Sequence, residues 1–408
     1  MRDTASEYYV GLDIGTAYVR CVVGMPGDPT SSGRPSLIGH GIAPNLGMRK
    51  GAVVHVEDVA SAIAKAVSEA ERISGKQIKG ATVNINGAHV SGIDSKGVIA
   101  ISTANREITQ QDRSRVEEAA GIIQLPANRE IIQAFTKNYA VDGQKNIKDP
   151  VGMQGVRLEA DMHLVTVATP NAHNLDLALE KAQVSANHHT ISGLAAAEAV
   201  LNRQQKEVGT AVIDIGAGTT NIVVIEDGEI QHVAVLPIGG SNVTNDLAIG
   251  LKIDLDVAEM IKTTYGEFTK RATMKVTRDH EEQVFEIDQI KMIVEARVEE
   301  LFEYIDKELQ KIRRSRKLPG GVVIVGGSAK LPRIAEISKE KLQLASRIGK
   351  LRDVSGIADT IDDPSFYTAT GLMILDMLLG DSQYETASYA NHASPIHFAQ
   401  DLFKRFKR

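Results

Sequence analysis

The chain has 408 residues, 43% of them hydrophobic and 24% charged, with a net charge of −6. That length exceeds what one hydrophobic core usually supports, so two lobes are expected, and the acidic balance gives no reason to expect nucleic-acid binding by the body of the protein. The single cysteine, Cys21, excludes an internal disulfide, and 4% aromatics with no Trp leave no stacking platform for bases or sugars.

Taken in chain order, Tyr8–Ile14, Ala17–Met25 and Leu37–Ile42 read as strands. A helix follows over Val56–Ser74, where Val59, Ile63, Val67, Ala70 and Ile73 recur at helical spacing and Gly75 stops it. Ala81–Asn86 is a further strand, after which the texture changes. Short strands at Gly97–Ser102, Ile131–Val141 and Val156–Leu164, with a helix starting at the Thr109/Asp112 capping pair, read as an inserted subdomain. Helices then alternate with strands again: helices over Asn171–Val184, Leu194–Gln205, Asn242–Tyr265, Ile290–Arg314 and Phe366–Leu379; strands over Thr210–Ile215, Asn221–Glu226 and Gly321–Val325; and a hairpin over Met274–Ile287. The expected division is a lobe 1 core over 1–80 and 163–206, the insert over 81–162, a lobe 2 core over 207–240 and 319–380, and a lobe 2 subdomain over 241–318. A polar linker over 381–395 and a terminal helix over 396–408 complete it.

One phrase occurs twice. Val10-Gly-Leu-Asp13-Ile-Gly15-Thr16-Ala17 opens the first half, and Val212-Ile-Asp214-Ile-Gly216-Ala217-Gly218-Thr219-Thr220 opens the second. Each reads as a buried strand, an Asp at its end, a glycine turn, hydroxyl residues and a second strand. Glycines in a tight turn let backbone N–H groups converge on a phosphate. The hydroxyls of Thr16, Thr219 and Thr220 add donors. Asp13 and Asp214 would hold Mg2+ through water, because Mg2+ keeps most of its hydration. Two such loops face to face would clamp one polyphosphate. Neither is a Walker loop or a dinucleotide fingerprint. The strand-and-glycine run Val325-Gly326-Gly327-Ser328 adds a place where a flat purine can approach backbone.

These three motifs, in this order, resemble the superfamily of actin, the heat-shock chaperones and the sugar kinases. They look like its two phosphate motifs and its adenosine motif. Within it, Gly47-Met-Arg-Lys50-Gly51, Asp149-Pro-Val-Gly152-Met-Gln-Gly155-Val-Arg157-Leu and Ser192-Gly-Leu-Ala-Ala-Ala-Glu-Ala-Val-Leu201 resemble the FtsA family of actin-like bacterial cell-division proteins. The resemblance implies an α/β, two-lobed actin-like (ribonuclease-H-like) ATPase fold with an inserted 1C-type subdomain. It further implies ATP and Mg2+ as cofactors, self-assembly into filaments, and partnership with the tubulin-like GTPase FtsZ and other division proteins. It places Gly239, Gly240, Glu259 and Lys262 at the nucleotide, and Arg297 with Glu300 at the FtsZ contact. Where chaperones and MreB carry Glu-Pro, this chain has Ser192-Gly193, which offers no carboxylate to orient an attacking water. A slow ATPase at most is expected, with a structural role foremost and no catalytic residue assigned.

No run of about 20 apolar residues exists to span a bilayer, and Met1–Glu7 lacks the apolar core of a leader. The last segment offers a different attachment. On a helix of about 100° per residue, Ile396, Phe398, Ala399, Leu402, Phe403 and Phe406 share one half. His397, Gln400, Asp401, Lys404, Arg405, Lys407 and Arg408 share the other, with Ser394 and Pro395 at the start. A basic face opposite a Phe/Leu face suits the surface of an anionic membrane. The expected location is therefore peripheral, and the resemblance implies the cytoplasmic side of the membrane at the division site. The competing readings are a phosphotransferase of the same fold and a binding module like PilM of pilus assembly. The basic tail speaks against the second. The His188-His189 pair reads as surface or cleft-edge residues, since neighbours on a strand point to opposite faces.

Overall fold

The computed structural model describes residues 8–27, 34–102, 105–278 and 281–380, so the linker and terminal helix expected over 381–408 lie outside the described residues. β1 (Tyr9–Ile14) is buried along its whole length, as a strand covered on both faces must be. It hairpins into β2 (Tyr18–Met25), which pairs antiparallel with β3 (Ser36–Pro44). On the other side β6 (Gly80–Ile85) and β11 (Ser185–Ile191) add in parallel, and β19 (Ser355–Gly356) closes the far edge beside β3. Between β3 and β6 lie a short hairpin, β4 (Met48–Arg49) and β5 (Ala52–Val53), and α1 (Val56–Ser74). Buried Val59, Ile63, Ala66 and Ala70 form the inner face of α1, and Gly75 ends it at φ 68° with its N–H donated to Glu71.

The insert is a four-stranded sheet in the order β7-β10-β8-β9 (β7, Ser91–Ala100; β8, Arg129–Val141; β9, Gln144–Ile147; β10, Arg157–Ala168), with α2 (Gln110–Gly121) packed on it. Thr109 Oγ1 accepts from Asp112 N–H and Asp112 caps Thr109 N–H in return, a complete capping box. Thr109→Ala should therefore cost about 1 kcal/mol, read as a lower urea midpoint at unchanged slope. The expected boundary at residue 81 is corrected: β6 pairs with β1 through Gly11↔Thr82, so that strand belongs to the first sheet and the insert's strands begin at Ser91.

The second lobe repeats the first. β12 (Thr210–Ile215), β13 (Thr220–Glu226) and β14 (Glu229–Leu236) run antiparallel in succession, while β17 (Val322–Val325) and β18 (Ser346–Ile348) add in parallel beside β12. Strand order and sense match β3-β2-β1-β6-β11, so the duplicated phrase is a duplicated lobe. The helices expected over Asn242–Tyr265 and Leu194–Gln205 are each broken in two. α6 (Gly240–Leu251) ends where Lys252 turns left-handed at φ 57°, and α7 (Leu255–Thr264) restarts after Asp254. α4 (Ser192–Val200) stops at Leu201, and Asn202 with Gln205 caps a new helix, α5 (Arg203–Val208). The hairpin β15 (Thr273–Arg278)/β16 (Glu281–Glu286), α8 (Ile287–Lys311) and α9 (Ile334–Leu342) complete the lobe, while α3 (Thr169–Lys181) packs beside α1 in the first.

α10 (Tyr367–Gly380) crosses α4 between the lobes, and the two backbones nearly touch: a Cβ on Gly371 would overlap the Ala195 carbonyl. Buried Asp376 ties α10 to the first sheet, accepting from Val10 N–H (2.9 Å) and Thr82 Oγ1 (2.8 Å). The insert, though part of the first half, is also bonded to the second. Val233 N–H on β14 donates to His163 Nε2 at 3.1 Å, His163 Nδ1 sits 2.7 Å from Asp94, and Gly92 packs on the Val233 carbonyl. Lys148 reaches Glu207 (3.2 Å) and the Asp227 carbonyl (3.1 Å). Burial alone would raise the Asp94 carboxyl, but its bonds to His163 and Lys137 outweigh that and hold it at about 2.

Candidate functional site

Both phosphate-loop turns have the same internal bond. Gly15 N–H donates to the Tyr18 carbonyl at 3.0 Å, and Gly216 N–H donates to the Thr219 carbonyl at 2.9 Å. The turns face each other across a cleft of about 530 Å3 between the lobes, within the range of small-molecule sites. Asp13, Gly15, Thr16, Ala17, Asp214, Gly216, Ala217, Thr219, Glu259, Lys262, Gly326, Gly327 and Ser328, thirteen of the seventeen residues expected at a nucleotide, line it.

The remaining four sit behind the wall. Thr220 is corrected from ligand to scaffold: it is fully buried on β13 and its hydroxyl donates to the Ile238 carbonyl at 2.8 Å. Gly218 lies against Thr16 and Lys50, where a side chain would collide. Gly239 and Gly240 pack under the second turn, Gly240 N–H donating to the Gly216 carbonyl at 2.9 Å. Arg297 and Glu300 are brought together on α8, away from the cleft, and Arg297 also grips Asp246 with two bonds of 2.5 and 2.9 Å, so its guanidinium is already engaged within the chain. His188 and His189 lie on β11, and His189 pairs with Asp176 at 3.0 Å.

Asp13 and Asp214 are the chemical centre. Both are more than nine-tenths buried. Burial pushes Asp13 up to about 7, with nearby Asp214 adding and Arg20 opposing. Burial likewise pushes Asp214 up to about 6 against bonds from Thr368 and Asn221. Asn84 donates to Asp13 at 2.7 Å and to Ser192 Oγ at 3.0 Å. Two carboxylates held above their usual range at one cleft fit a cation. They are two donors rather than a closed cage, and no group of three His, Cys, Asp or Glu among the described residues could hold a bare metal. That is the donor set of a hydrated Mg2+ shared with phosphate oxygens.

Several cleft residues escape sequence reasoning. Arg20 lies directly across the hairpin from Asp13, its guanidinium 5.2 Å from the Tyr18 ring centroid and 5.4 Å from that of Phe366, with a buried Nε that has no partner among the described residues. A lone Arg on an otherwise apolar strand was the signal. Asn86, just past β6, donates to Thr219 Oγ1 at 3.0 Å and so ties the second loop to the first sheet. Asp363 and Phe366 arrive because Gly326 N–H bonds the Pro364 carbonyl at 3.0 Å. On the second-lobe side of the cleft, Lys262 is held by Glu259 (2.6 Å) and Thr244 (2.9 Å).

Comparison with known proteins agrees with this architecture. By fold, the chain is similar to a PilM-PilN type IV pilus biogenesis complex (TM-score 0.63, 18% identity, 90% of this chain and 98% of that one). It is also similar to MreB5 of Spiroplasma citri bound to ADP (TM-score 0.51, 15% identity, 95% and 99%). By sequence, residues 87–166 match the family described as an SHS2 domain inserted in FtsA, and residues 211–371 match the family described as cell division protein FtsA. The cell division protein FtsA of Pseudomonas aeruginosa is 34% identical over 377 residues, which cover 91% of this chain and 89% of that protein. A duplicated actin-like lobe, an insert matching the SHS2 domain and this identity over nearly the full length together establish that the chain belongs to the FtsA family of cell division proteins.

Proposed function

We propose that this protein binds ATP with Mg2+ in the interlobe cleft and polymerises in the manner of actin. Through residues 396–408 it tethers the FtsZ division ring to the cytoplasmic face of the membrane and helps recruit other division proteins. The observation that carries the reading is the pair of phosphate-loop turns facing across buried Asp13 and Asp214. Bound Mg2+ would supply charge neutralisation at the phosphate oxygens. Asp13 and Asp214 would hold it through water, the turn N–H groups and the Thr16 and Thr219 hydroxyls would take the phosphates, and Glu259, Lys262 and Gly326–Ser328 would take the nucleoside. A relative in fold, MreB5, is known with ADP bound, which supports a nucleotide here. Ser192 supports slow hydrolysis, because its buried hydroxyl is engaged by Asn84 where an enzyme would keep a carboxylate for water.

No helix among the described residues is long and apolar enough to cross a membrane; the proposed attachment is segment 396–408, for its Phe/Leu residues interleaved with basic ones. One such helix binds weakly, and a polymer displaying many binds by avidity. Deleting residues 394–408 should leave the fold and ATP binding intact and abolish sedimentation with anionic vesicles. Filaments with Mg·ATP should appear on lipid only with the full chain. A truncated protein that still sediments with vesicles would falsify the tether. The likeness to PilM favours a second reading, a nucleotide-binding adaptor without lipid contact. Failure of the full chain itself to bind vesicles selects that reading.

A further inference from the structure

The β4–β5 hairpin belongs to neither phosphate loop, yet it touches both. Gly51 N–H donates to Thr16 Oγ1 of the first loop at 3.1 Å. Its neighbour Lys50 lies against the second, the Lys50 Cα being 3.1 Å from where a Cβ on Gly218 would stand. Gly51 is pressed on Gly87, next to Asn86, whose amide bonds Thr219. The tip is wound tightly to reach this place, with Lys50 at φ 49° and Gly51 at φ 76°. A left-handed backbone at a lysine is uncommon, and here it sets the basic residue at the seam of the two loops.

Of the basic groups at the cleft, Lys262 and Lys330 are bonded to carboxylates and Arg20 is buried, while Lys50, just outside the lining, is exposed. Lys262 is bonded to Glu259, and Lys330 to Asp363 at 2.8 Å. Arg20 is buried near Asp13 and Asp363 and close to two rings. Lys50 is exposed and forms no ion pair or hydrogen bond among the described residues. A diphosphate and a triphosphate differ by one more charged group, and that group requires one more donor. An ammonium on a flexible four-carbon stem is suited to meet it. Gly51 strengthens the arrangement: with its N–H donated to Thr16 Oγ1, the Thr16 hydroxyl keeps its own proton to donate.

We propose that the Lys50–Gly51 tip is the element that distinguishes a nucleoside triphosphate from a diphosphate, Lys50 supplying the charge that meets the terminal phosphate. The proposal rests on the nucleotide reading of the cleft. It is tested by calorimetric titration of nucleotide-free full-length protein with a Mg2+ complex of a non-hydrolysable ATP analogue and with Mg·ADP. Lys50→Met should weaken the triphosphate by about tenfold or more, the loss of one charge-assisted bond, and change ADP by less than about twofold. Lys50→Arg should keep the preference. Lys50→Asn repeats the test with a residue that tolerates left-handed backbone. Equal weakening of both nucleotides, or no change in either, overturns the role of Lys50 while the cleft reading stands. Wild-type protein that binds neither nucleotide overturns the cleft reading itself, and this proposal with it.

Discussion

Asp13→Asn is expected to stabilise the nucleotide-free protein while abolishing its response to Mg·ATP. The Asp13 carboxyl is raised from 3.8 to about 7, first by burial. The folded state therefore binds a proton that the unfolded chain has released. This contribution to stability is complete below about pH 4 and is lost as pH rises through about 7. Above that, the folded protein carries two buried carboxylates whose burial Arg20 offsets only in part. Each pKa unit is worth about 1.4 kcal/mol, and an amide that recovers part of the penalty should add on the order of 2 kcal/mol at pH 7.5. The substituted amide keeps an oxygen that can accept from Asn84, so the local hydrogen bond survives. With ligand in thousandfold excess over its dissociation constant, the wild type should gain about 4 kcal/mol. The variant, short of one carboxylate for the hydrated cation, should lose most of this gain. Thermal melts between pH 4.5 and 8, with and without Mg·ATP, read both signs. A variant that melts lower than wild type without ligand, or that gains as much from Mg·ATP, would show that Asp13 is not a penalised cation site.

Gly371→Ala should unfold the protein or come close to it. In an exposed helix the same change is favourable by roughly 1 kcal/mol. Here the added methyl falls on the Ala195 carbonyl at the crossing of α10 and α4, and neither helix has room to retreat. α10 is pinned beneath by β1, where Gly11 meets the backbone of Ala369 and Met373, and by the bonds to Asp376. Packed interiors do not deform smoothly. The cost should exceed about 3 kcal/mol, seen as loss of soluble protein or a collapsed urea midpoint. A neutral or stabilising result would mean the lobes pivot freely at this crossing.

What could be read ahead of the structure was local. Asp13 and Asp214 each sit inside a strand-turn-strand of a few residues, so the loops were recognisable from short windows, as was the Thr109–Asp112 box. Long-range features were not. Asp363 and Phe366 reach the cleft through long-range contacts, among them the bond between Gly326 and Pro364, residues that no local pattern connects. Arg20 was within reach: a tight hairpin at Gly15 places it opposite Asp13 by counting alone. Thr219 and Thr220 were not separable locally: Thr219 ends the turn and Thr220 begins β13, where its hydroxyl is taken by the distant Ile238 carbonyl. The break at Lys252 had no signal, because lysine seldom turns left-handed and the apolar period runs on across it.

The bond between Val233 N–H and His163 bears on how force travels. His163 has one lone-pair nitrogen to give, and it is given to the opposite lobe, while its other nitrogen holds Asp94. If the second sheet swings about the α4–α10 pivot, the insert must either let go of β14 or travel with it. Letting go strands a buried amide hydrogen and a buried ring nitrogen away from water. Travelling turns the insert's outer face through an angle set by the gap between the lobes.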